Sequence, residues 1–408
     1  MVDDVVYMKR AIELAKLATG HTSPNPLVGA VVVKDNTIIG EGYHHKAGTA
    51  HAEVHALNQA GDNAKGATLY VTLEPCSHYG KTPPCALRII EAGIAKVIVG
   101  STDPNPLVSG KGMELLREAG IEVVCPVCSD ECAELNEHFF TYIQTGKPFV
   151  TLKSAMSLDG KIATSTGQSQ WITNESSRRD GHVLRATHDA MLVGIGTILA
   201  DNPQLNCRLT DSELSDALLD KSILDEPITI HQPDVIILDS LLDSLGRTPT
   251  TSRVFEINNR KIHIFVSKGC PKDRIQALEQ VGAQVTVVES ISTRKSKSTD
   301  IVIDIKKLSI DDILTKLGEL GYTSILVEGG SAIISSFVET KNFDKVVTYI
   351  GNTIIGGNDA TPAVGGRGFE SLEVSPQLTF TKTKVLDNNI RIEAYRQGRR
   401  GAYVHGNR

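Results

Sequence analysis

Apolar residues recur at three- or four-residue intervals between Asp3 and Thr19, with Val5, Met8, Ile12 and Ala15 on one stripe, and this predicts an opening helix. Two strands, Val28–Lys34 and Ile38–Tyr43, follow around an Asp35-Asn36 turn. The alternation then continues: helix His51–Gln59, strand Thr68–Leu73, helix Ala86–Ala92 and strand Lys96–Gly100. After Asp103-Pro-Asn-Pro106 come a helix near Met113–Ala119 and a strand at Ile121–Val124. Interleaved helices and strands point to an α/β layered domain over residues 1–146, closed by a break at Gly146-Lys-Pro148.

The pattern restarts with Phe149–Lys153, a strand leading into Ser154-Ala-Met-Ser-Leu-Asp-Gly160. Strand-like runs follow at Ala190–Val193, Val235–Leu238, Ile262–Val266, Gln284–Val288, Ser324–Val327 and Val346–Tyr349, so residues 147–396 form a second α/β domain. Two stretches with little periodicity read as surface insertions: the acidic Asp211–His231, and Glu289–Asp300, rich in Ser and Lys. Residues 397–408 are a basic tail that reads as frayed and solvated rather than as a binding arm.

A length of 408 residues suits two or three domains of roughly 100–200 residues each. Hydrophobic residues make up 40% of the chain, enough for real cores, yet no run of about 18 apolar residues offers a membrane span. The first residues carry neither a basic segment nor a small-residue cleavage site, so a cytoplasmic protein is expected. Seven cysteines, an odd number, fit a reducing compartment better than a disulfide framework. A net charge of −6 and a pI near 6.1 give no electrostatic footprint for nucleic acid, and a small-molecule partner is expected instead.

The chemistry of the first domain is concentrated in His51-Ala-Glu53, Pro75-Cys76 and Cys85. Two thiolates and an imidazole can hold Zn²⁺ and leave its fourth tetrahedral position for water, while Glu53 is free to carry protons as the catalytic acid and base. Cys76 and Cys85 enclose a loop too long for a compact turn, and it brings His78, Lys81 and Thr82 toward the metal's edge. Pro83-Pro84 can set Cys85 at a helix N-terminus, where the dipole favours a thiolate. His51 and Glu53 share a pocket only if both lie in the first turn of a helix. The alternatives are a closed zinc site, which wants a fourth protein ligand, or two reduced core cysteines beside an ordinary helical His and Glu.

The second domain is marked by glycines. Ile325-Leu-Val-Glu328 runs into Gly329-Gly330-Ser331 and a helix whose free N–H groups could bind phosphate, and Val193-Gly-Ile-Gly-Thr197 is a similar turn. No G-x-G-x-x-G fingerprint is present, so tight strand-to-helix turns explain these glycines equally well. Arg185, Arg208 and Glu328 are surface residues by default, and Trp171, the sole tryptophan, is by default core. Cys125, Cys128 and Cys132 could be taken for a second metal site, but Ser129 looks like a helix cap and reduced, partly buried thiols are favoured.

Several motifs together resemble one family, the bifunctional riboflavin-biosynthesis deaminase/reductases. In the first half they are Pro24-Asn-Pro-Leu-Val-Gly29, His51-Ala-Glu-Val-His55, Glu74-Pro-Cys-Ser-His78 with Thr82-Pro-Pro-Cys85, and Asp103-Pro-Asn-Pro106. In the second half they are Ser157-Leu-Asp-Gly-Lys161, Ser169-Gln-Trp-Ile-Thr173, Leu199-Ala-Asp-Asn-Pro203 and Val327-Glu-Gly-Gly330. The resemblance implies a cytidine-deaminase-like α/β/α domain followed by a dihydrofolate-reductase-like α/β domain that uses NADPH. It also implies two reactions: hydrolytic deamination of a diaminopyrimidinone carrying a phosphoribosylamino group, then reduction of the ribosyl group to ribityl. Ala155, Trp171, Thr197, Asp201, Ser240 and the turn Gly330, Ser331, Ala332, Ile333, Ile334, Ser335, Ser336 are implied as cofactor contacts. Ser169, Arg185, Leu205, Arg208 and Glu328 are implied as substrate contacts, with Lys153 close to the reacting centre. Asn25, His78 and Lys81 are expected at the pyrimidine in the first domain, and a homo-oligomer, dimer or tetramer, is expected of the whole. Two rivals remain: a nucleic-acid editing deaminase, which wants a basic face, and a deaminase whose second domain only binds nucleotide.

Overall fold

In the computed structural model the described residues are 2–77, 83–105, 109–239, 249–294 and 304–398. The chain divides into two compact units: Met1–Gly146 with Leu209–His231, and Lys147–Arg208 with Gln232–Arg399. The first crossing falls between Gly146 and Lys147, at the glycine that ends the Glu137–Thr145 helix in a left-handed conformation. Ser240 and residues 399–408 of the basic tail lie outside the described residues, as do His78 and Lys81.

Among the described residues, unit 1 holds a five-stranded sheet ordered Thr37–Tyr43, Gly29–Lys34, Thr68–Leu73, Lys96–Ser101, Glu122–Val124. The first two pairings are antiparallel and the last two parallel. The inner strands are apolar almost without interruption because both faces are covered. The Val2–Lys16 helix packs on Gly29–Lys34 and Thr68–Leu73. Opposite, Ala30, Val32, Leu69, Val71, Val97 and Val99 join one core with Ala52, Ala56, Ala86, Ile89 and Leu116. Gly40 and Gly42 let the Ala52–Ala60 helix settle onto its strand: a Cβ on Gly40 would meet the Ala56 carbonyl at 2.1 Å, and one on Gly42 the Ala52 carbonyl at 2.6 Å.

Unit 1 also takes in Leu209–His231, which corrects the reading of Asp211–His231 as a surface insertion. Its first part is a helix, Asp211–Leu218, opened by a capping box between Thr210 and Glu213. Leu214, Leu219, Leu224 and Ile228 are buried. Against the opening helix, Lys16 donates to the Leu218 carbonyl at 3.1 Å, Glu13 accepts from the Asp220 N–H at 2.8 Å, and Arg10 donates to the Ile223 carbonyl. The segment was missed because its apolar residues follow no sustained helical or strand period; the Thr210-x-x-Glu213 signature was the available signal.

Unit 2 is built on a nine-stranded sheet ordered Ala283–Val288, Ile262–Ser267, Asp234–Asp239, Ala190–Gly194, Ser324–Val327, Phe149–Met156, Lys345–Ile350, Asn389–Arg396, Leu378–Leu386 among the described residues. It is parallel as far as Lys345–Ile350 and antiparallel beyond. Successive residues alternate between two cores, Leu192, Ile325 and Val327 facing one and Met191, Val193 and Leu326 the other. The closing hairpin escaped the sequence reading because its outer strand is largely exposed and rich in Thr and Lys. Part of the Glu289–Asp300 insertion is also structured, with Ser290–Arg294 pairing antiparallel to Asp304–Leu308.

Candidate active sites

Three chain segments meet in unit 1 beyond the carboxyl ends of two parallel strands. The Ala52–Ala60 helix begins at His51, its N-cap, and carries Glu53 in its first turn, the one arrangement that lets these two residues share a pocket. Thr68–Leu73 delivers Cys76, and Pro84 is the N-cap of a helix whose first residue is Cys85. His51 Nδ1 lies 3.2 Å from Cys85 Sγ and 3.7 Å from Cys76 Sγ, and the Cys85 N–H points at Cys76 Sγ at 3.3 Å. All three donor atoms lie within 4.8 Å of one another, the one such group of His, Cys or carboxylate donors found among the described residues. The hydrogen bond from Cys85 pulls the Cys76 thiol down to about 4, while that bond and burial push Cys85 up. The pair thus shares a proton that a divalent cation displaces, so the donor set fits zinc. Burial, followed by the Cys76 thiolate, raises the pKa of Glu53, which is 3% exposed.

A cavity of about 600 Å³ opens onto this group, lined among others by Asn25, His44, Thr49, Asp103, Asn105 and Tyr142. Glu74, buried just before Pro75-Cys76, accepts the Gly110 and Gly112 N–H groups at 3.0 Å each and so ties the segment after Asp103 to the cysteine loop.

In unit 2 the expected residues gather at the carboxyl ends of the adjacent strands Phe149–Met156, Ser324–Val327 and Ala190–Gly194, where ligands bind in open parallel sheets. Lys153 Nζ lies 2.7 Å from Glu328 Oε1, and Arg185 Nε 2.9 Å from Glu328 Oε2. Burial alone would raise the Glu328 pKa, but Arg185 and Lys153 overcome it and hold the carboxyl well below its usual range. His182, one turn before Arg185, is pushed down to about 4 by burial and then by Arg185 and Arg208, and its Nδ1 accepts the Arg208 N–H at 3.3 Å. The Ser331–Thr340 helix starts at Gly330 with no side-chain cap, and space beside Gly330 is open, so a phosphate can approach its first N–H groups.

The profile of the RibD C-terminal domain matches residues 148–392, and that of the cytidine and deoxycytidylate deaminase zinc-binding region matches residues 1–101. The riboflavin biosynthesis protein RibD of Bacillus amyloliquefaciens is 44% identical over 406 residues, covering 98% of this chain and 99% of that protein. The chain belongs to the RibD family. RibD of Escherichia coli K12 is 37% identical over 95% of this chain and 98% of its own length. Solved RibD structures agree: Acinetobacter baumannii RibD, form 1, superposes with a TM-score of 0.80 at 36% identity, covering 97% of this chain and 99% of that one. The Thermotoga maritima diaminohydroxyphosphoribosylaminopyrimidine deaminase/5-amino-6-(5-phosphoribosylamino)uracil reductase gives 0.77 at 36% identity, with the same coverage. Like its family, the chain is a bifunctional riboflavin-biosynthesis enzyme with a zinc-dependent deaminase domain and a reductase domain.

Within this RibD chain the default readings of several residues are overturned. Trp171 is 68% exposed, with the Arg178 guanidinium 4.3 Å above its ring, and is not core. Arg185 and Glu328 are mostly buried rather than on the surface, whereas Arg208 is exposed. Thr197 and Asp201 lie on the Ile195–Asp201 helix, Ala155 on the Phe149–Met156 strand, and Ser169 is half-buried before the exposed Trp171. Some implied contacts point inward: the Ile334 side chain belongs to the core, Ser335 is buried and donates to Glu339 at 2.9 Å, and Leu205 is buried with its carbonyl taken by Arg260. Of the Gly330–Ser336 turn, Ala332 is exposed and Gly330, Ser331, Ile333 and Ser336 are half-buried. Cys128, not Ser129, caps the Ser129–Leu135 helix, and Cys125, Cys128 and Cys132 are free thiols. His44 and His182 were missed because each is a single polar residue in no motif, and Glu74, though part of the Glu74-Pro-Cys-Ser-His78 motif, was given no role because its partners Gly110 and Gly112 are distant in sequence.

Proposed function

We propose that unit 1 deaminates a phosphoribosylaminopyrimidine, with His51, Cys76 and Cys85 as zinc ligands and Glu53 as proton carrier, and that unit 2 reduces the ribosyl group of the product with NADPH. The observation that carries the reading is the convergence of two thiols and an imidazole beside a buried carboxyl whose pKa is raised. Zinc, when bound, supplies a water activated at neutral pH. Glu53, enclosed and easily protonated, takes a proton from the attacking water and returns protons to the ring and to the departing ammonia. Asn25, with Asp103 and Asn105, orients the pyrimidine in the cavity.

For the second step NADPH supplies hydride, and the protein positions and shields it. Lys153, paired with Glu328, stands at the sugar carbon; Arg185 and Arg208 suit the phosphate, whose oxygens match a guanidinium fork. Trp171, Ala155, Thr197, Asp201 and the outward-facing residues of the Gly330 turn border the cofactor. No described helix is long and apolar enough to cross a membrane. We take the chain to act in the cytoplasm as a dimer or tetramer; its seven free cysteines and the exposed Phe380 and Val385 of the edge strand support this, and size-exclusion chromatography with light scattering tests it.

The decisive experiment supplies the diaminopyrimidinone phosphoribosyl substrate with and without NADPH and identifies the products by mass. Ammonia and the deaminated compound are expected without NADPH, and the ribityl product with it. Consumption of NADPH before any ammonia appears would reverse the order, and no consumption at all would leave unit 2 a nucleotide-binding module.

A further inference from the structure

His44 lies just after the Thr37–Tyr43 strand, is 2% exposed, and has both ring nitrogens engaged. Its Nδ1 is 3.1 Å from the Ala50 carbonyl oxygen, and its Nε2 is 3.1 Å from Asn25 Nδ2. A carbonyl oxygen only accepts, so Nδ1 carries the proton. An amide nitrogen only donates, so Nε2, which faces Asn25 Nδ2, accepts through its lone pair. Among the described residues Asn25 Oδ1 takes no hydrogen bond, and Asn25 lines the same cavity as His51 and Glu53.

We infer that His44 is a positioning residue for the deamination: held in one tautomer by the Ala50 carbonyl, it locks the Asn25 amide so that Oδ1 is the atom offered to the substrate. The deaminase site therefore presents a fixed acceptor to an N–H of the aminopyrimidine. Ala50 immediately precedes the ligand His51, so one ring couples the Pro24-Asn25-Pro26 loop to the start of the metal-bearing helix. A freely rotating Asn25 would present donor and acceptor alike and would discriminate poorly between amino and oxo forms of the ring. The inference rests on unit 1 being the pyrimidine deaminase.

The test measures ammonia release, zinc content and the ring ¹⁵N spectrum for wild type, His44→Ala, His44→Gln, Asn25→Ala and the double alanine variant. His44→Ala and Asn25→Ala should each raise KM about tenfold with kcat changed far less, as loss of a binding hydrogen bond does. The double variant should match Asn25→Ala rather than multiply the two losses. His44→Gln, whose amide oxygen can take the same N–H, should recover most of the KM, and zinc should stay at one per chain throughout. The spectrum of the wild type, assigned by difference from His44→Gln, should show a neutral ring protonated on Nδ1. Multiplicative losses near hundredfold, zinc loss in His44→Ala, or an Nε2-protonated ring would overturn the inference. Zinc-loaded wild type that releases no ammonia would overturn the deaminase reading as well, whereas active wild type with any of those three results overturns the inference alone.

Discussion

In unit 1 two thiols and an imidazole crowd together, donor atoms that a metal cation would gather, whereas in unit 2 Lys153 and Arg185 both pair with Glu328, two cations on one carboxylate. The first arrangement suits a reaction in which a resident metal supplies the charge. The second suits one in which a diffusible cofactor brings the chemistry and the protein needs a rigid floor with positive charge to spare for a phosphate. The contrast teaches that two catalytic units on one chain can depend on quite different physical resources.

Removing a metal ligand should break the comparison most sharply. Cys85→Ser is expected to lower zinc from one per chain to near zero and to abolish ammonia release, while reduction of the pre-deaminated compound persists; elemental analysis beside the two assays checks this. Reduction falling in step with zinc would mean the units share the metal.

Glu328→Gln attacks the other side. It leaves two largely buried cations without their counter-charge, and unit 2 should lose roughly 3 kcal/mol of stability as well as its reductase activity, with deamination untouched. Hydrogen exchange resolved between Ala190–Gly194 and Gly29–Lys34 reads the two units separately. Protection lost equally in both would argue that they unfold as one.

Leu214→Ala asks which unit owns the excursion from the second half of the sequence. Leu214 is fully buried, so the cavity should cost about 2–3 kcal/mol, and the loss should appear in Gly29–Lys34 rather than in Ala190–Gly194. The reverse pattern would return residues 209–231 to unit 2.

The smallest effect concerns acid. His182 has an ordinary value of 6.5 when unfolded and about 4 when folded, so the unfolded state binds the extra proton first. Its contribution is complete above about pH 6.5 and is lost as pH falls toward 4, on the order of 2 kcal/mol and confined to unit 2. Urea unfolding of wild type and His182→Asn across that window should converge; parallel curves would exclude His182 as the cause.

Legibility in the sequence followed the same divide. Thr68–Leu73 and Ser324–Val327 were placed without error because both are largely apolar runs between turn residues, and His51, Cys76 and Cys85, which the fold brings together, stood out because metal ligation demands particular residue types. The Leu378–Leu386 edge strand, exposed and polar, carries no such signature. Nor does a neutral histidine such as His44 or His182, since its role lies in what it faces: Ala50 and Asn25 in one case, Arg185 and Arg208 in the other. The ion-paired floor of unit 2 joins residues 153, 185 and 328, and only a resemblance between whole families could connect them in advance.

The central claim is that the chain carries two separate catalytic sites, and a crossed pair of variants tests it most directly. Glu53→Gln keeps the ligand set intact, so it should retain zinc, lose at least about 10²-fold in ammonia release, and still reduce the pre-deaminated compound at the wild-type rate. Glu328→Gln should release ammonia normally and accumulate the deaminated, unreduced compound. If folded, zinc-loaded Glu53→Gln instead failed to reduce the pre-deaminated compound, a single composite site would have to replace the two described.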